Sequence, residues 1–233
     1  MIILASDTST NHGSVALRDA AGDIVSVELD PERPHSETLL PAVNEVLSLA
    51  GFMRQDVQAL AVGIGPGAFT GLRVGLATFK GWASASKLPV IPVSSLDSVA
   101  FTGLGQGAGV IVLADARKGE VYACYYPAFD GNGLPARGGE AELVPVRDVS
   151  PWIENIGDEK AVILGTGAPI WIEETGQESG SIIRERSNYP LASHILQMGE
   201  IMMSMGLTVE PSRLIPDYVR APDAKPQGKD KTA

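Results

Sequence analysis

The chain has 233 residues and a formal net charge of −10, with 28 acidic against 18 basic side chains. Hydrophobic residues at 44% and charged residues at 20% exclude a disordered or fibrous chain, and the length allows one large domain or two small ones. No run approaches the ~18 apolar residues of a bilayer span, and the acidic balance works against direct binding of a phosphate backbone, which needs Lys and Arg.

The chain opens on MIILASDTST, a buried-strand run ending in Asp7 and hydroxyls. Met1 leads into it without a basic leader, which places the protein in the cytoplasm. GSVALRD and DIVSVEL alternate as two further strands of a meander. A helix is predicted from Thr38 to Ala50, with Pro41 in its first turn and Gly51 as its stop. LAVGI is the next strand, GIGPGAFTG a turn, and Thr70 to Lys87 a second helix. PVIPVSS closes this half as a strand and its exit loop.

The same order then recurs. GVIVLAD ends in Asp115 as MIILASD ends in Asp7, and EVYACYY and ELVPV follow, separated by the turn-rich FDGNGLPARGG. After a short helix near Trp152, KAVILGTGAP repeats the strand and Gly-x-Gly turn of LAVGIGPG. A strand-like SIIRER, a helix from Leu191 to Met205 and the polar tail KPQGKDKTA complete the chain. The repeat predicts a duplicated α/β fold with mixed-sheet subdomains at 1–103 and 104–218 and a tail at 219–233, the boundary falling in TGLGQGAG near Gly103 to Gly109.

The chemistry centres on the glycines. Gly63, Gly65 and Ala68 satisfy G-x-G-x-x-G/A between a strand and a helix, but no acidic residue follows about 20 positions on, and no Lys-Ser or Lys-Thr completes a Walker loop. A helix N-terminus still favours anions, so Asp7, Thr8, Gly65, Gly67 and Asp115 are candidates for a nucleotide site, with Asp7 and Asp115 holding Mg²⁺ between the halves. The competing reading is a tight strand-to-helix turn, with each Asp accepting backbone N–H bonds in its own turn. His12, His35 and His194 lack metal-ligand spacing, so no metal site is assigned. Ser36 beside His35 is a helix-entry residue rather than half of a dyad, and Cys124 in VYACYY reads as a small buried hydrophobe.

The helix after the glycines has two apolar faces. Leu72, Leu76, Phe79 and Ala83 form a core stripe, while Val74, Ala77, Gly81 and Ala85 form a small-residue face nearly opposite, beside a narrow stripe of Arg73, Lys80, Ser84 and Lys87. Small residues at every fourth position permit close helix approach, from this chain or a partner. The preceding helix carries a broad arc of Leu39, Leu40, Val43, Val46, Leu47 and Ala50, widened by Ala42 and Leu49.

Together, ILASDTST, HSETLLP, GIGPGAFTGLRVGLATFKGWA, DARKGEVYA and PDYVR resemble the bacterial TsaB family, also called YeaZ, over most of the chain and least between Phe129 and Ser187. The resemblance implies the actin-like, sugar-kinase and Hsp70 (ASKHA) type of duplicated fold. It also implies a role in making threonylcarbamoyladenosine next to the anticodon of tRNA, as the non-catalytic partner of the transferase subunit TsaD, joined by the ATPase TsaE. The catalytic relative carries H-x-x-x-H after the strand equivalent to PVIPV, where this chain has Ser95 and Val99, and valine cannot ligate a metal. The resemblance further assigns the two helices to pairing with TsaD, or with a second copy when TsaD is absent, through Leu39, Val43, Val46, Leu49, Arg73, Val74, Ala77, Lys80, Gly81 and Ala85. It implies no cofactor and only indirect contact with tRNA. Two other readings remain open: an ATP-binding phosphotransferase of the same fold using Asp7, Asp115 and the paired Gly loops, and a peptidase, which rests on an old label of these relatives and has no nucleophile constellation behind it.

Overall fold

The structure is a computed structural model that describes residues 1–105, 107–176 and 188–219. β1 (Ile3–Asp7), β2 (Ser14–Arg18) and β3 (Ile24–Glu28) form the expected antiparallel meander. α1 (His35–Leu49), β4 (Ala59–Gly63), α2 (Phe69–Ser86) and β5 (Val90–Val93) follow, with β4 parallel to both β1 and β5. α1 begins at His35 rather than Thr38, directly after Pro34, whose carbonyl accepts the first turn bond from Glu37 N–H.

The strand period of two divides the first sheet between two cores. Leu4, Val15, Leu17, Leu60 and Val62 pack with α1 and α2 through Leu39, Val43, Val46, Leu72 and Phe79. Ile3, Ala5, Ala59, Ala61, Ile91 and Val93 pack on the other face against Ile195, Leu196 and Met198 of the last helix. Because both faces are covered, β1 and β4 are apolar along their whole length apart from Ser6 and Asp7.

The segment expected to be an exit loop is a helix, α3 (Ser95–Gly103). Its hydroxyls hide the periodicity, yet Leu96, Val99, Ala100 and Gly103 are buried at the i, i+3, i+4, i+7 positions of one face. β6 (Val110–Asp115), β7 (Glu120–Tyr126), the short pair β8 (Ala128–Phe129) and β9 (Pro135–Ala136), β10 (Glu142–Pro145), α4 (Val149–Ile156), β11 (Val162–Leu164), an unanticipated α5 (Ala168–Thr175) and α6 (Ala192–Ser204) complete the described chain. SIIRER and KPQGKDKTA lie outside the described residues.

Among the described residues the first sheet runs β3-β2-β1-β4-β5 and the second β10-β7-β6-β11. The order β3-β2-β1-β4 thus recurs with the same parallel and antiparallel pairings, which is the duplication expected from sequence. The boundary near Gly103 to Gly109 separates the strands of the two sheets but not their helices. α3 packs on the second sheet through Leu96, Val99 and Ala100 against Val110, Val112 and Leu164, while α6 lies on the first. No helix of the described residues is long and apolar enough to cross a membrane.

The crossing helix α6 is held by polar contacts from β2 and α3. Ala192 N–H donates to Ser14 Oγ at 2.9 Å and Leu191 N–H to Ser98 Oγ at 3.0 Å, so the helix start is satisfied. Arg18 grips Glu200 with two bonds of 2.8 Å. His194 Nδ1 lies 3.1 Å from Ser98 O, and burial holds its pKa below the usual value. Toward the second sheet, Asp97 on α3 accepts from Tyr126 Oη at 2.7 Å and from Arg137 Nε at 3.0 Å, fixing α3 to β7 and to the β8–β9 hairpin. Cys124 beside them is fully buried, and that burial raises its thiol pKa.

Candidate functional site

Asp7 ends β1 inside the protein, with no exposed surface. Its Oδ1 accepts from Ser9 N–H at 2.7 Å and from Ser9 Oγ at 2.6 Å, and its Oδ2 accepts from Ser95 Oγ at 2.6 Å. Burial raises the Asp7 pKa, an effect that these hydroxyl and amide donors oppose. Thr8 Oγ1 donates to Gly71 O at 2.9 Å, and Ala68 N–H donates to Ser9 O at 2.6 Å. The loop leaving β1 is therefore clamped against the start of α2.

The glycines make that clamp possible. A Cβ at Gly63 would overlap the Asp7 carboxylate, one at Gly67 the Ser9 carbonyl, one at Gly71 the Thr8 carbonyl, and one at Gly75 the Thr8 hydroxyl. Four glycines at intervals of four thus present bare backbone to one loop. Gly65, at φ +96°, turns its N–H toward Ser95 Oγ at 3.1 Å. Residues 7–9 lie directly against this edge of GIGPGAFTG, the close backbone approach that the strand-to-helix reading expects. Gly71 and Gly75 escaped notice in the sequence because their constraint comes from a loop more than 60 residues away.

Asp115 serves its own turn. Its Oδ1 accepts from Arg117 N–H at 2.7 Å, and its Oδ2 pairs with the Arg117 guanidinium at 3.1 Å. The second Gly turn also packs on backbone: Cβ atoms at Gly165 or Gly167 would meet Leu113, and Gly165 N–H donates to Asn188 Oδ1 at 3.0 Å. The phosphotransferase reading thus finds its carboxylates and glycines engaged within the protein. The histidines are dispersed, with His35 Nε2 donating to Thr10 O at 2.7 Å, the His12 ring tilted against Tyr189 and His194 on α6. Among the described residues, no three His, Cys, Asp or Glu side chains are grouped to hold a metal ion.

The helix surface requires a correction. Leu39, Val43 and Val46 are core residues of this chain, none more than 1% exposed, because α1 turns them onto the sheet beside Leu47. They are unavailable to a partner. The outward apolar residues of α1 are Leu40 and Leu49, at 45% and 63% exposure. On α2, Leu72, Leu76, Phe79 and Ala83 are buried as the helical wheel predicts, whereas Arg73, Ala77, Gly81 and Ala85 are exposed. Nothing lies within 4 Å of where a Gly81 Cβ would stand. Val74 is half-buried against the core, and Lys80 Nζ donates to Ser212 O at 3.1 Å, tying down the C-terminal segment that flanks α2. PDYVR is the sequence signal for that segment, whose place beside α2 only the tertiary structure reveals.

With this geometry in hand, comparison with known proteins is informative. The family model of TsaD, tRNA N6-adenosine threonylcarbamoyltransferase, matches residues 29–139. The tRNA threonylcarbamoyladenosine biosynthesis protein TsaB of Escherichia coli strain K12 is 37% identical over 224 residues, covering 94% of this chain and 95% of that one. A crystal structure from Pseudomonas aeruginosa, described as an uncharacterized protein with similarity to peptidase YEAZ, superposes with a TM-score of 0.80 at 33% identity, covering 94% of this chain and 99% of that one. The activator of the 2-hydroxyisocaproyl-CoA dehydratase from Clostridium difficile, solved with ADPNP bound, has a TM-score of 0.50 at 12% identity, covering 88% of this chain and 97% of that one, a likeness of fold alone.

Proposed function

The chain belongs to the TsaB family and acts in the biosynthesis of threonylcarbamoyladenosine in tRNA; we propose that it does so as a non-catalytic subunit that pairs with a TsaD-family transferase. One observation carries this reading: α2 is apolar on two opposite faces, and the outer one is exposed and, from Ala77 through Gly81 to Ala85, made of small residues. A helix facing only solvent would be polar there, and small residues allow a partner helix to approach closely.

The interior supports the same reading. Asp7, Thr8 and Ser95 have their polar groups engaged within the protein. Cys124 is buried with a raised pKa, and His35 Nε2 donates to Thr10 O, which supports a role other than peptidase chemistry. The charge of −10 is consistent with tRNA being held by the transferase rather than by this chain. In this reading TsaE meets the assembled pair, the free chain self-associates through the same face, and the assembly works in the cytoplasm.

The direct test is to mix the purified chain with a TsaD-family transferase and follow the mass in solution. The expected outcome is a one-to-one complex at micromolar concentration, formed at the expense of any dimer of the free chain. Two species that sediment independently would overturn the proposal.

A further inference from the structure

The C-terminal strap beyond α6 is fixed along α2 by a series of contacts. Val209 and Val90 exchange backbone bonds of 2.8 and 3.3 Å. Lys80 Nζ reaches Ser212 O and Leu214 O, and Leu214 is sunk in the core at 2% exposure. Asp217 N–H donates to Ile64 O at 2.8 Å, on the Gly loop itself. Between these anchors Ile215 is held out to solvent at 67% exposure, and Tyr218 lies with its ring 5.6 Å from that of Phe69 at the start of α2.

Arg73 completes the group, its guanidinium carbon 3.7 Å from the centre of the Phe69 ring. Among the described residues it has no carboxylate partner. A tyrosine, a phenylalanine and an arginine in contact, with an exposed isoleucine three residues before the tyrosine on the same anchored strap, have the composition of an interface anchor. Fixed backbone also lowers the ordering cost of association. The group continues the exposed α2 face at its N-terminal end, since Arg73 lies one turn before Ala77 on the same side of the helix.

We propose that this strap carries the anchor of the partner contact: Ile215 and Tyr218, with Phe69 and Arg73, seat in an apolar recess of the TsaD-family subunit whose rim supplies a carboxylate for Arg73. The proposal rests on the reading of α2 as the pairing face and extends that face from the helices to the C-terminal strap. Continuity with α2 selects the transferase as occupant, and an arginine with no carboxylate partner among the described residues selects an acidic rim.

The test uses the full chain with Ile215→Glu, with Tyr218→Ala, and separately with Gly81→Glu, each titrated against the transferase subunit. Because Ile215 is 67% exposed, Ile215→Glu is expected to leave the melting temperature unchanged. Both strap substitutions are expected to weaken the complex about tenfold or more. Unchanged affinity in the strap variants beside a weakened Gly81→Glu complex would overturn the strap anchor and leave the helix reading intact. A loss confined to self-association would make a second copy the occupant and overturn it equally. If Gly81→Glu also binds normally, the pairing face itself is misassigned and both readings fall.

Discussion

Replacing Gly81 by Glu is expected to weaken pairing with the transferase by about 100-fold or more while leaving the isolated chain at least as stable as before. The two effects come from one feature. Gly81 lies in the interior of α2 with open space beside it, so a side chain there meets no clash and removes the ~0.5–1 kcal/mol that glycine costs a helix. At a closely packed helix contact the same glutamate buries an uncompensated charge, worth several kcal/mol, and each 1.4 kcal/mol is a tenfold change in affinity. A thermal melt and an affinity titration on one preparation read both. If affinity is unchanged, α2 does not face the partner; if the chain unfolds, Gly81 is not the open position described.

A second large effect is expected at Asp7, on stability. Asp7→Ala leaves Ser9 N–H, Ser9 Oγ and Ser95 Oγ without their acceptor in a fully buried place. Stranding these donors costs about 3 kcal/mol or more. Asp7→Asn keeps an acceptor oxygen and removes the charge, so its loss is much smaller. The pH dependence separates the variants further. Burial raises the folded pKa of Asp7 above its ordinary value of 3.8, so the folded state binds its proton more tightly than the unfolded one. The Asp7 contribution therefore disfavours folding once pH exceeds the raised pKa and fades as pH falls toward 3.8. In denaturant titrations, Asp7→Asn should compare best with the parent chain at neutral pH and lose ground as the solution is acidified. An Asp7→Ala chain as stable as the parent would show that the clamp between residues 7–9 and α2 holds nothing.

The repeat was legible because strands advertise themselves locally. MIILASD and GVIVLAD show the same apolar run into Asp, and their sheets repeat the same strand order. The inner face of α2 was legible for the same reason, since a wheel needs only the helix period. α3 was not, because Ser94, Ser95 and Ser98 mask its apolar face, and those hydroxyls are spent on Gly65, Asp7 and Leu191. The crossing of α6 onto the first sheet was invisible as well. It depends on Gly199 lying against Ala61, where a Cβ would come within 2.7 Å, and on Arg18 meeting Glu200 across 182 positions.

The α1 surface shows the limit of a broad apolar arc. The sequence gathers Leu39, Leu40, Val43, Val46, Leu47 and Ala50, widened by Ala42 and Leu49, into one arc, and packing divides it, with Leu39, Val43 and Val46 inward and Leu40 and Leu49 outward. The Gly loop shows a different limit. That its glycines allow close backbone approach was readable, but that they receive the loop of Asp7, Thr8 and Ser9 was not, because nothing near Gly63 encodes what will lie against it. The same tertiary contact favours the strand-to-helix reading of the loop over the nucleotide cradle.

The most direct test of a non-catalytic subunit is the rate of threonylcarbamoyl transfer to tRNA by a TsaD-family transferase, measured alone, with this chain, and with its Gly81→Glu variant. The expected result is no transfer by this chain alone, at least a tenfold gain when it joins the transferase, and loss of that gain with Gly81→Glu. Transfer by the chain without the transferase, or a transferase equally active in its absence, would contradict it.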